Sequence, residues 1–88
     1  PHLDQARRAI VEAWKAWAKV TSTTDREALQ RELEVLQKEW SYLDHQMSAA
    51  LGVPTARLSA IGIEAQRLTA RAGALRERVL RVLAGGGP

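Results

Sequence analysis

Residues 24–51 read TDREALQRELEVLQKEWSYLDHQMSAAL, and one stripe runs through them. Leu29, Leu33, Leu36, Trp40, Leu43, Met47 and Ala50 are separated by alternating steps of four and three. That spacing keeps one side of an α-helix against its neighbours for more than three heptads. Thr24 followed by Glu27 fits a capping box, in which each side chain satisfies the other's backbone N–H. Gly52 supplies a residue suited to the left-handed turn on which helices often end. A helix over about residues 25–51 is expected.

The rest of the chain repeats the pattern. A first helix is expected over about residues 3–20, with the seam Leu3, Ala6, Ile10, Ala13, Trp17 and Val20, and with Trp14 on its flank beside Val11 and Ala18. Pro1 and His2 read as a chain start. Thr21, Ser22 and Thr23 are poor in a helix interior and good at caps, so they mark a turn. Pro54 disfavours helix at Val53, and Thr55 is a suitable N-cap. A third helix is expected over about residues 56–84, with the seam Leu58, Ile61, Ala65, Leu68, Ala72, Leu75, Val79 and Val82. Residues 85–88, GGGP, read as a flexible tail.

Three amphipathic helices joined by short turns imply an all-α, antiparallel three-helix bundle with coiled-coil (heptad) packing. Residues 1–84 are expected to form this single domain. Folding the helices on their turns makes facing residues sum to about 45 in helices 1 and 2, and about 107 in helices 2 and 3. The seam then falls into the layers Leu3/Leu43/Ala65, Ala6/Trp40/Leu68, Ile10/Leu36/Ala72, Ala13/Leu33/Leu75 and Trp17/Leu29/Val79. Large residues meet small ones within most layers, as a close-packed core requires. The same register brings Glu39 near Arg71 and Glu32 near Arg78. It also brings Gly73 near Trp14, so Gly73 is expected to make room for that ring, with Arg76 over the indole face.

Composition limits the function classes. The chain has 88 residues, no cysteine and a net charge of +3. A disulfide, a thiol nucleophile and a cysteine metal site are therefore absent. No apolar run approaches the roughly 18 residues of a membrane span, and a cytoplasmic protein is the default expectation. The charge is unevenly placed: +2 over residues 1–20, −3 over 25–51 and +4 over 55–84. An acidic middle helix between basic ones reads as internal pairing rather than a nucleic-acid footprint. His2 is terminal and His45 falls opposite the seam, so neither joins the three or four convergent ligands a metal needs. His45 and Met47 are two apart and cannot face one iron. Serines and threonines lack a histidine–acid partner at useful spacing, and the only glycine run is the tail. No catalytic role, metal or cofactor is expected.

Two surfaces remain as candidates. Helices 2 and 3 are expected to be longer than helix 1, leaving Met47, Leu51, Leu58 and Ile61 uncovered at one end with Arg57 at the rim. An uncovered apolar end marks a docking or self-association site. The stripe Ala28, Val35, Tyr42 and Ala49 lies away from the seam and offers a groove-type contact for a helix. The expected function is a non-catalytic helical module for protein–protein interaction or oligomerisation. It would bind through the projecting end, assisted by Val35 and Tyr42. The expected partner is another protein, helical or a second copy, rather than nucleic acid or membrane.

One alternative comes from residues 47–59, MSAALGVPTARLS, which resemble the helix-turn-helix signature. They place a small residue four before Gly52, an aliphatic after it, and Leu58 six after it. The resemblance implies a DNA-binding domain, in which the following helix would read base edges through Arg57. A second alternative is a designed helical bundle, suggested by the regular heptads. The turn at Thr21–Thr24 and the mid-helix glycines depart from an idealised design.

Overall fold

The computed structural model describes residues 2–49 and 55–85, except for the side chain of residue 56. Three helices pack side by side: α1 (His2–Trp17), α2 (Thr23–Ser48) and α3 (Thr55–Gly85). No strand occurs among the described residues. The fold is an all-α three-helix bundle, 54 × 16 × 14 Å. Its length follows from α3, whose 31 residues span about 46 Å at the helical rise. No helix among the described residues is long and apolar enough to cross a membrane.

The core is the seam read from the sequence. Ala6, Ile10, Ala13, Val20, Leu29, Leu33, Leu36, Leu43, Ile61, Ala65, Leu68, Ala72, Leu75 and Val79 are buried, joined by Ala16. Trp17, Trp40, Leu3 and Val82 pack partly buried against them. Met47, a seam position in the sequence, remains 39% exposed.

The three interfaces differ in chemistry. On α1, Ala6, Ala9, Ala13 and Ala16 share one side with His2, which is the side facing α3: Gln66 Nε2 lies 3.4 Å from His2 Nδ1. Alanines at Ala65 and Ala72 complete this seam, and α1 packs more closely on α3 than α2 does. Small residues allow that approach because little side chain separates the two backbones. The tryptophans lie on the α2 side of α1. Trp40 Nε1 donates to the Leu3 carbonyl at 2.8 Å. Trp17 Nε1 donates to the Arg26 carbonyl, also at 2.8 Å. The two bonds tie opposite ends of α1 to α2.

Several expectations change at this level. Helix 1 ends at Trp17, not Val20. Lys19 and Val20 then bond three residues back, to the Ala16 and Trp17 carbonyls, so a tighter turn carries Val20 into the core. Helix 2 begins two residues before the expected 25. Its cap is Ser22, whose Oγ accepts from the Asp25 N–H, and not Thr24 with Glu27. Serine caps at least as well as threonine, and Asp25 in the first turn favours the helix dipole. Helix 2 ends at Ser48 with Ala49 as its cap. The glycine–proline turn at 50–54, including the expected Gly52 cap, and the tail beyond Gly85 lie outside the described residues.

The expected Gly73–Trp14 contact does not form. A Cβ built at Gly73 meets nothing within 4 Å. Trp14 instead packs edge-on to Trp17, with centroids 5.2 Å apart and planes at 84°. Alanines occupy the α3 side of α1, which leaves the bulky rings to the α2 side. The cation over an indole is Arg26, 4.0 Å from the centroid of Trp17, rather than Arg76 over Trp14. Among the described glycines, Gly62 has a neighbour: a Cβ there would stand 3.3 Å from His2 Cδ2.

Candidate functional site

The sequence-selected residues fall in two groups. At the projecting end, Ile61 is only 5% exposed and belongs to the core, because α1 starts at His2 and lays that ring beside Gly62. Ile61 therefore drops out as an accessible anchor. Leu58 is half-buried, while Met47 and Arg57 are exposed. Leu51 lies outside the described residues. Among the described residues, this end thus has less open apolar surface than the helix lengths suggest.

The second group is better formed. Val35 is 48% exposed and Tyr42 is 63% exposed. They sit one heptad apart on the α2 side of the α2/α3 groove. The groove is crossed by two ion pairs. Arg71 Nη1 donates to Glu39 Oε2, and Arg78 Nη1 donates to Glu32 Oε1 at 2.8 Å. These are the pairs the register predicts. Glu32 holds the Arg78 guanidinium above its ordinary pKa through this bond and its charge. All four side chains keep about half their surface in solvent, so the pairs fix register more than they add stability.

The rungs divide the groove into two hollows. One, of about 290 Å³, has Leu36 and Leu75 at its floor and Val35 and Ala74 at its walls, between Glu32–Arg78 and Arg71. The other, of about 630 Å³, has Leu43 and Leu68 at its floor beneath Tyr42, with Lys38, Glu39, Gln46, Glu64, Arg67 and Arg71 around it. In the smaller hollow Val35 and Ala74 share the lining, and alanine is too short to fill the gap. Sequence reasoning identified Val35, Tyr42 and both ion pairs. It missed Ala74, Leu68 and Lys38 as parts of the same surface. The available signal was a small residue opposite an exposed β-branched one in the register.

Three further acids, Asp4, Glu12 and Glu64, are engaged within their own helices. Asp4 accepts from Arg7 at 3.1 Å and pairs with Arg8 at 2.7 Å, and these contacts hold its carboxyl below the ordinary range. Glu12 pairs with Lys15 and Glu64 with Arg67. Among the described residues no three His, Asp or Glu side chains are placed to share a metal ion. Trp14 Nε1 is buried without a hydrogen-bond partner.

No family model, curated protein or solved structure matches this chain.

Proposed function

We propose that the chain is a non-catalytic helical module for protein–protein interaction, and that it docks its partner on the α2/α3 face. The observation that carries this reading is the exposure of Val35 and Tyr42, one heptad apart, beside two apolar-floored hollows. An incoming helix meets such a surface with anchors at the same seven-residue spacing. Met47 and Arg57, both exposed, extend the contact toward the projecting end.

The reading requires that the face serve docking rather than folding. Val35→Glu with Tyr42→Glu should leave helicity unchanged and should change the unfolding free energy by less than about 0.5 kcal/mol, as surface substitutions do. The measurement is denaturant unfolding followed by circular dichroism, extrapolated to high dilution so that association does not contribute. Loss of several kcal/mol, as for a core residue, would show that the bundle needs these side chains and would remove the reading. A DNA titration across a salt series supplies the opposing arm: a steep salt slope would replace a protein partner with nucleic acid.

A further inference from the structure

The outer face of α2 carries a pattern that selects one partner. Along the helix, Ala28, Val35, Tyr42 and Ala49 form an apolar line with a period of seven. On one side of that line stand the bases Arg31 and Lys38. On the other stand the acids Glu32 and Glu39, next to α3. Each base is thus followed by an acid across the same apolar line, twice, one heptad apart. Glu32 and Glu39 are each bound on one side by an α3 arginine yet remain about half exposed. A carboxylate has a second oxygen and several acceptor directions to offer. Lys38 makes no ion pair among those identified for the described residues.

We propose that two copies of this chain pair through α2 as a parallel, two-fold dimer, with Lys38 of each copy against Glu39 of the other. The symmetry decides the orientation. When two helices run parallel about a two-fold axis along their length, the left flank of one meets the right flank of the other. Base then meets acid at Lys38/Glu39 and again at Arg31/Glu32, and Val35 and Tyr42 pack against their own counterparts. When the helices run antiparallel, like flanks meet. Lysine and arginine then oppose lysine and arginine, and glutamate opposes glutamate, which is unfavourable in any register. An isologous contact of this kind closes on itself and gives dimers, not fibres. The proposal rests on the α2/α3 face being the docking surface and adds the identity of its occupant.

The test uses the full chain, with mass in solution followed across a concentration series by sedimentation, and folding checked by circular dichroism. The wild type should show a monomer–dimer equilibrium. Lys38→Glu and Glu39→Lys should each raise the dissociation constant about tenfold, since two attractive pairs become repulsive. An equimolar mixture of the two variants should recover wild-type affinity, because each glutamate at 38 then meets a lysine at 39. Because the chain has no cysteine, Val35→Cys gives a second readout that leaves the α3 ion pairs intact. In the parallel dimer, added oxidised glutathione converts the two facing thiols to a disulfide-linked pair, releasing two reduced glutathiones, at concentrations where dimer forms. A wild type that stays monomeric at every concentration overturns the proposal. So does Lys38→Glu tightening association, which signals the antiparallel pairing, or a mixture that fails to recover. Monomeric wild type with an unchanged unfolding midpoint for Val35→Glu/Tyr42→Glu leaves the docking face standing for a different protein. A collapsed midpoint removes both.

Discussion

Gly73 and Gly62 occupy the same flank of α3 and meet different surroundings. A glycine inside a helix costs about 1 kcal/mol against alanine, because its backbone loses more freedom on folding. At Gly73 the added methyl enters open space, so nothing offsets the gain. Gly73→Ala should raise stability by about 0.5–1 kcal/mol, read from the denaturant midpoint. At Gly62 the methyl presses on the His2 ring at 3.3 Å. That ring sits at the first residue of α1 and must shift, at the expense of its approach to Gln66. Gly62→Ala should therefore gain less than Gly73→Ala. An equal or larger gain would mean that His2 is not held where the structure places it. The sequence points to a close approach at Gly73, and the structure has it at Gly62 instead. That depends on which side of α1 carries alanine and which carries tryptophan, a choice the seam alone leaves open.

At the scale of elements, the junction between α1 and α2 depends on one side chain. Arg26 lies in the first turn of α2 and reaches back over the C-terminus of α1. Its Nη1 donates to the Val20 carbonyl at 2.6 Å, with longer contacts to Ala18 at 3.4 Å and Trp17 at 3.5 Å. The last carbonyls of a helix lack intrahelical partners and carry partial negative charge. The guanidinium therefore caps α1 from the next helix, and it stacks over Trp17 while doing so. In return the Trp17 indole donates to the backbone of Arg26. Arg26→Ala should cost about 1–2 kcal/mol, the sum of lost charge-assisted bonding and cation–π contact. Arg26→Lys should recover only part of it, since an ammonium lacks the planar fork. Amide hydrogen exchange should show the loss first at the end of α1. The helices, their order and the ion pairs of α2 with α3 were legible in the sequence because heptad spacing encodes them directly. The Arg26 cap was not, because it depends on how sharply residues 18–22 turn.

Across the whole molecule, closeness is unequally distributed, and this sets which faces can change. Ala6, Ala13, Ala65 and Ala72 are fully buried where α1 meets α3, in a body only 16 × 14 Å in section. The α2/α3 groove, by contrast, holds two hollows. Ala13 is fully buried, so a larger side chain there overpacks the seam and α1 must move outward. Moving α1 also strains the Trp40 bond to Leu3 and the Trp17 bond to Arg26 that hold its two ends. Ala13→Leu should therefore cost at least the 1–3 kcal/mol usual for overpacking, about. Ala74→Leu makes the same chemical change on the exposed wall of the smaller hollow. There the side chain can fill open volume beside Val35, and stability should hold within about 0.5 kcal/mol. Thermal or denaturant unfolding of the two variants at matched, dilute concentration makes the comparison. If Ala13→Leu is tolerated as well as Ala74→Leu, the α1/α3 seam is not closely packed, and the division into a sealed alanine face and an open α2/α3 face fails with it. If the difference appears, Ala74→Leu also becomes a probe of docking. It narrows the hollow without unfolding the bundle, and should weaken any partner that inserts there.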